Sequence, residues 1–280
     1  MQTVRSIPEM QTLAAKLRAE GKTIALVPTM GCLHEGHLLL TELARTKASV
    51  VVVSIFVNPI QFGANEDYSR YPRTESADIA ACSSRGVDIV FLPEAEAMFP
   101  AHFSTHVHEE LCSHGLCGDF RPGHFRGVAT VVAMLLNIVR PDVAVFGQKD
   151  AQQAAVLRKM SADLFLPVHI EIAPIVREPD GLAMSSRNRY LTVLQRKRAP
   201  ELFAALKAGR AAAASGTRRA LIVREAVSAH LSRFPDFRVQ YIGVVDSVTM
   251  QPVDVVETGK TLLAAAVLLG TTRLIDNVLL

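Results

Sequence analysis

The 280-residue chain has only four cysteines, Cys32, Cys82, Cys112 and Cys117, unevenly placed. That is too few to staple a fold of this size, so a disulfide framework is excluded and a reducing compartment is expected. Long hydrophobic runs are lacking too. The longest apolar stretch spans residues 262–269, far short of the roughly 20 residues a membrane-spanning helix requires. Arg5 and Glu9 interrupt any secretory leader. The expectation is a cytoplasmic protein with no membrane contact. Neither sign of charge dominates, since 30 Lys and Arg against 27 Asp and Glu leave a net +3.

The common nucleotide fingerprints are also missing. No Gly-x-Gly-x-x-Gly occurs, which argues against an ordinary dinucleotide-binding first turn. Gly-Lys-Thr appears at Gly21 and Gly259, but Lys16 and Asp254 stand where a phosphate-binding loop needs its first glycine. His34-Glu35-Gly36-His37 is one residue too short for the H-E-x-x-H zinc helix.

What is present is a core. Residues are 49% hydrophobic, and a chain of this length can bury about 75% of its unfolded surface, so no structural metal is needed. From residue 20 to 176, β-branched runs at 23–27, 50–57, 88–92, 142–146 and 168–172 alternate with helical patterns at 36–47, 75–85, 127–139 and 151–163. That alternation predicts an α/β fold, a Rossmann-like doubly wound parallel sheet. After Val176 the pattern changes to helices at 192–214 and 220–234 and strands at 237–246 and 261–269, a second, smaller α+β C-terminal domain. The Ala-rich run 207–216 reads as a loose helix end or surface turn. The expected division is 1–176 for ligand binding and 177–280 as a lid. Net charge divides the same way, −3 in the first region and +6 in the second. A +6 segment suits nucleic acid, a membrane surface or a polyanionic small molecule.

Polar and Gly/Pro clusters fall at four strand ends, where open parallel sheets bind ligands. They are Pro28-Thr29-Met30-Gly31-Cys32-Leu33-His34-Glu35-Gly36-His37, Asn58-Pro59-Ile60-Gln61-Phe62, Gly147-Gln148-Lys149-Asp150 and Arg177-Glu178-Pro179-Asp180-Gly181. His34 and His37 lie three apart at a helix start, where free N–H groups and the positive helix end favour phosphate oxygens. Imidazole N–H donors there can stabilise the extra charge of a phosphoryl transition state. A helix-capping or core histidine pair is the alternative.

The histidine pair resembles the motif of nucleotidyltransferases and class I aminoacyl-tRNA synthetases, with Met184-Ser185-Ser186-Arg187-Asn188 as the counterpart of their triphosphate loop. PTMGCLHEGH, FVNPIQFGANEDYSRYPRT, RPGHFRGVATVV, FGQKDAQQ and REPDGLAMSSRNRYL, in this order and spacing, resemble the pantothenate synthetase (pantoate-beta-alanine ligase) family more closely. Residues 272–277 also resemble that family's C-terminal end. The resemblance implies that ATP and pantoate give an enzyme-bound pantoyl adenylate and pyrophosphate, after which β-alanine displaces AMP. It implies ATP contacts at Met30, Gly31, Cys32, Leu33, His34, Glu35, Gly36, His37, Gly147, Gln148, Lys149, Asp150, Val176, Met184, Ser185, Ser186 and Arg187. His37, His34 and Lys149 are the implied catalytic residues. Gln61 maps to pantoate and β-alanine, Gln153 to pantoate, and Asn58 to the shape of the same pocket. Mg²⁺ is expected with ATP, with Asp88 a candidate ligand that could equally cap or begin a strand. A homodimer is implied, and nucleic acid is not expected as a partner. Cys32 stands where the family commonly has a small residue such as alanine; an accessible thiol there would make alkylation inhibitory.

Other readings compete. His102, His106, His108, Cys112, His114, Cys117 and His124 crowd one segment that could bind zinc. A different histidine-motif nucleotidyltransferase, such as a cytidylyltransferase, would share the first motif. A silent nucleotide- or nucleic-acid-binding module would use the +6 region and show strongly salt-dependent affinity.

Overall fold

The computed structural model describes residues 1–64, 66–216 and 218–280; Asn65, inside the second motif segment, lies outside them. Two compact units partition the chain. One comprises Met1–Glu109, Pro122–Gln148 and Val156–Pro174, and the other comprises Glu110–Arg121, Lys149–Ala155 and Ile175–Leu280. Two short pieces of the earlier chain thus belong with the C-terminal region.

The first unit is built on β1 (Gln2–Val4), α1 (Ile7–Ala19), β2 (Ile24–Thr29), α2 (Glu35–Lys47), β3 (Val50–Ile55), α3 (Glu75–Ser84), β4 (Ile89–Phe91) and α4 (Ala95–Met98). After α5 (Cys117–Phe120), which lies in the second unit, come α6 (His124–Val139), β5 (Val143–Gly147), α7 (Ala151–Asp163) and β6 (His169–Ala173). Among the described residues the sheet has six strands, all parallel, in the order β1-β4-β3-β2-β5-β6. Val50–Ile55 is buried at every position, as a parallel strand covered on both faces requires. The expected strands and helices of this region all form, and α6 begins one turn earlier than its apolar pattern suggested. The additions are β1 and α1. Ser6 caps α1 by accepting a hydrogen bond from the Glu9 N–H at 3.4 Å, and Pro8 stands in the first turn, where its missing N–H does no harm.

The second unit contains α8 (Val193–Arg198), α9 (Glu201–Ala214), α10 (Ala220–Leu231) and an antiparallel sheet of β7 (Phe237–Asp246), β8 (Thr261–Leu269) and β9 (Thr272–Leu279) in that order. The helical region expected over 192–214 consists of two helices. Pro200 has no N–H to continue the first, and it opens the second instead. The run read as a loose end is mostly helix, because α9 continues to Ala214 and buries Leu206 and Gly209. Leu206 packs with Val223, Val227 and Leu263 in one apolar cluster, which joins α9 and α10 to the sheet. No helix among the described residues is long and apolar enough to cross a membrane.

Candidate active site

In the first sheet β2 lies between β3 and β5, so the strand order reverses there. Loops leaving the carboxyl ends of β2 and β5 at such a reversal form the crevice in which open α/β sheets hold ligands. After β2 the chain runs through Met30 to the histidines, and after β5 it reaches Gln148. Both loops are therefore where the sequence placed them.

The loop after β2 is shaped by two consecutive residues in the left-handed region, Gly31 at φ +80° and Cys32 at φ +50°. A Cβ on Gly31 would stand 3.0 Å from both the Asp78 carboxylate and Ile55, so glycine is needed for space as well as for angle. Asp78, 3% exposed in the first turn of α3, accepts hydrogen bonds from Cys32 N–H at 2.9 Å, Leu33 N–H at 2.8 Å and Thr74 Oγ1 at 3.1 Å. Hydrogen bonds to a charged acceptor contribute about 1.5–3 kcal/mol each, enough to hold the strained turn. Thr29 Oγ1 accepts from Gly31 N–H at 3.2 Å and donates to Ser54 C=O at 2.9 Å.

That clamp presents His34 as the N-cap of α2 and His37 one turn in, with ring centroids 4.0 Å apart and planes 30° from parallel. His34 N–H donates to His37 Nδ1 at 3.4 Å. This leaves Nε2 as the protonated nitrogen of neutral His37. Glu35 turns its side chain to Arg85, at 2.7 and 2.9 Å, so at that position the main chain is the part left to meet a ligand. Cys32 is 1% exposed, which removes the premise that its thiol is open to alkylation.

Beside it, Asn58, Gln61 and Met30 form one group. Asn58 Nδ2 donates to Gln61 Oε1 at 2.9 Å and to Gly127 C=O at 3.1 Å, and Gln61 Nε2 lies 3.1 Å from Met30 Sδ. Asn58 thereby sets which way the Gln61 amide points. His124 Nδ1 lies 2.9 Å from Gln61 C=O, so this histidine braces the turn. Gly127 admits it: a Cβ there would fall 2.4 Å from Ile60 C=O, so any larger residue pushes the Gln61 turn off α6.

In the second unit, Val176 and Met184 are the two arms of one turn. Met184 N–H donates to Val176 C=O at 3.0 Å, and Arg177 bridges Ala183. Ser185 caps the next turn, its Oγ accepting from Arg187 N–H at 3.3 Å, while Ser186 is 8% exposed. Asn188 Nδ2 holds Ala183 C=O at 3.1 Å. Lys149 Nζ lies 3.9 Å from Asp150, and Gln153 sits in the first turn of α7. Its neighbour Gln152 is buried, with Oε1 accepting from Cys117 N–H at 2.9 Å and Nε2 donating to the carbonyls of Cys112, His114 and Gly115 at 3.0–3.1 Å.

Two readings that the sequence left open bear on metals. Asp88, left open between a Mg²⁺ ligand and a strand start, immediately precedes β4 at the amino end of the sheet, where it accepts from Arg45 at 2.5 Å and Val51 N–H at 2.7 Å. Among the described residues, no three His, Cys, Asp or Glu side chains are grouped to hold a metal. The 102–124 histidines and cysteines do not converge: His106 packs against Phe103, and Cys117 Sγ lies 3.1 Å from Tyr241 Oη. Burial and the neighbouring Cys117 push the Tyr241 phenol up, away from its ionised form. Sequence reasoning missed Asp78, Gln152 and the partners of Arg177. An acid in a helix's first turn is ordinary, so nothing in the pattern singled out Asp78.

A family model described as pantoate-beta-alanine ligase matches residues 2–279. The chain belongs to the pantoate-beta-alanine ligase family. The pantothenate synthetase of Thermotoga neapolitana is 51% identical over 280 residues, covering 100% of both chains. The crystal structure of the Thermus thermophilus pantothenate synthetase superposes with a TM-score of 0.93 at 44% identity, covering 99% of each chain. A family member from Francisella tularensis, solved in complex with beta-gamma ATP and β-alanine, has a TM-score of 0.82 at 31% identity over 100% of this chain and 97% of that one. This chain is thus a ligase, and the cytidylyltransferase and silent-module readings give way. Its parallel sheet and separate three-stranded sheet are those of the family.

Proposed function

We propose that this ligase joins pantoate to β-alanine through an amide bond, using ATP and passing through a pantoyl adenylate. The observation that carries the reading is the stacked His34–His37 pair at the head of α2, in a chain that matches the ligase family over residues 2–279. A pantoate carboxylate oxygen attacks the α-phosphorus and pyrophosphate leaves. The amine of β-alanine then attacks the acyl carbon, AMP leaves, and the nitrogen loses a proton.

The residues divide this work. Met30 to Gly36 line ATP, and His37, with Nδ1 occupied by the His34 N–H, donates from Nε2 to a phosphate oxygen as charge builds there. Gly147, Gln148, Lys149, Asp150, Ser185, Ser186 and Arg187 serve the phosphates, and Val176 and Met184 the adenine side. Gln61, aimed by Asn58, and Gln153 take pantoate; an amide can donate to a carboxylate without adding a charge that competes with the phosphate contacts. The second step needs only a neutral amine held near an activated acyl group, so proximity supplies its acceleration. Mg²⁺ enters as the ATP complex, screening the triphosphate, with phosphate oxygens and water supplying most of its ligands. A homodimer and a cytoplasmic location complete the proposal.

The decisive experiment incubates the protein with ATP, Mg²⁺, pantoate and β-alanine and omits each in turn. Pyrophosphate is expected only with pantoate present, and AMP with pantothenate only when β-alanine is added. Pyrophosphate without pantoate, or no amide from the full mixture, defeats the proposal.

A further inference from the structure

The family-like segment 272–277 has no part in the scheme so far, yet two of its residues reach the segments assigned to ATP. Asp276 and Asn277 lie in β9, 3% and 4% exposed. Successive side chains of a strand leave opposite faces, so this pair can serve two different segments of the second unit.

Asp276 takes Arg177. The guanidinium donates to both carboxylate oxygens, at 2.6 and 2.9 Å, and also to Gly181 C=O at 3.0 Å. Its carbon lies 3.6 Å from the centre of the Phe203 ring. Arg177 therefore closes the turn whose far arm leads into Met184, Ser185, Ser186 and Arg187. Asn277 takes the other segment: its Nδ2 donates to Lys149 C=O at 3.1 Å. The two residues are linked to each other, because Asn277 N–H donates to Asp276 Oδ1 at 2.7 Å.

Stability alone is a weak reason for this arrangement. Replacing a buried ion pair by apolar side chains of similar volume is often neutral or stabilising, whereas a bidentate guanidinium–carboxylate pair fixes orientation. Burial pushes the Asp276 carboxyl above its ordinary range, opposed by Arg177, by the Asn277 N–H and by Lys149. An acid kept in such a place points to geometry as what the pair supplies.

We propose that Asp276 and Asn277 are positioning residues for adenylate formation, holding the Ser185–Ser186–Arg187 turn and the Lys149 segment in one fixed register. The inference rests on the function proposed above. Displacing a phosphate-binding group by about 1 Å can slow a reaction about 100-fold, and these two side chains hold groups that belong to separate parts of the chain. By the aminolysis step pyrophosphate has left and only the adenine and α-phosphate remain bound, so the contacts that Lys149 and the Ser185–Ser186–Arg187 turn make to the two departing phosphates are no longer in use.

The test compares the full-length protein with Asn277→Ala and Asp276→Asn in two assays. One is pantoate-dependent pyrophosphate release from ATP and Mg²⁺, resolved into kcat and the KM for ATP. The other is amide formation from chemically prepared pantoyl adenylate and β-alanine. Pyrophosphate release is expected to slow about 10- to 100-fold, while aminolysis of the supplied adenylate stays near the wild-type rate. Equal slowing of both steps would mark a general structural lesion and overturn the proposal, as would undiminished pyrophosphate release. Should Asp276→Asn fail to fold, Asn277→Ala, which removes one neutral side-chain donor, decides alone. A wild-type protein that releases no pyrophosphate would instead defeat the underlying function.

Discussion

The candidate ligand segments of the two units are held by different physics. The histidine loop is fixed by one buried carboxylate taking two backbone N–H groups of a left-handed turn, Cys32 and Leu33, from 46 and 45 residues away. The lysine and serine segments are fixed by side chains from the end of the chain, across 128 residues to Lys149 and 99 to Arg177. Where the proposed contacts are backbone amides and a helix head, the loop must hold its own main chain in an unusual shape. Where the proposed contacts are long cationic side chains, the placement of the main chain that carries them is what needs fixing.

The largest effect should come from the cation. Lys149→Ala removes the charge proposed for the triphosphate while leaving the Asn277 bond to the backbone carbonyl intact. Removing one such preorganised contact slows the reaction about 100- to 1000-fold, so pyrophosphate release should collapse while the thermal unfolding midpoint stays put. Near-normal release would remove Lys149 from the site and leave the second segment without its main charge.

Next comes the carboxylate of the other loop. Asp78→Ala strands one buried and one part-buried backbone donor, at about 1–3 kcal/mol each, so urea unfolding should show a loss on the order of 2–6 kcal/mol. Asp78→Asn keeps one acceptor oxygen and should lose about half as much. If the two variants were equally stable, the acceptor oxygens would not be what holds the turn, and the contrast between the two segments would fail.

What could be read from the sequence follows the same division. The histidine loop and the Gln61 turn each lie in one short stretch after a strand, where strand-end clusters stand out, while the Ser-Ser-Arg turn was exposed by its resemblance to a family motif. Strands β2 to β6 were legible because each is a compact β-branched run between turn residues. β1 has three residues and α1 buries only Met10 and Ala14, so neither leaves a pattern to find. β9 was hidden by the residues that give it a role. Arg273, Asp276 and Asn277 break its apolar run, although the latter two are buried. A partner 99 residues away is needed to explain a buried acid, and one sequence does not display that partner.

The smallest expected effect lies at the outer edge of the Arg177 turn, where Arg196 holds Asp180 at 2.5 Å and Glu178 at 3.2 Å. The Arg196 hydrogen bond, helped by the Leu182 N–H, lowers the Asp180 carboxyl below its ordinary 3.8 despite partial burial. A lowered acid stabilises the fold above its unfolded value and loses that contribution as pH falls through the folded one, so the window lies below 3.8. The Asp180 side chain is 41% exposed, and exposed pairs contribute about 0.2–1 kcal/mol. Arg196→Met should therefore cost less than about 1 kcal/mol at pH 7, less still in molar salt, and the gap from wild type should narrow below pH 3.8. A loss as large as that of Asp78→Ala would mean that the exposed pair, and not the buried Arg177–Asp276 pair alone, fixes the turn.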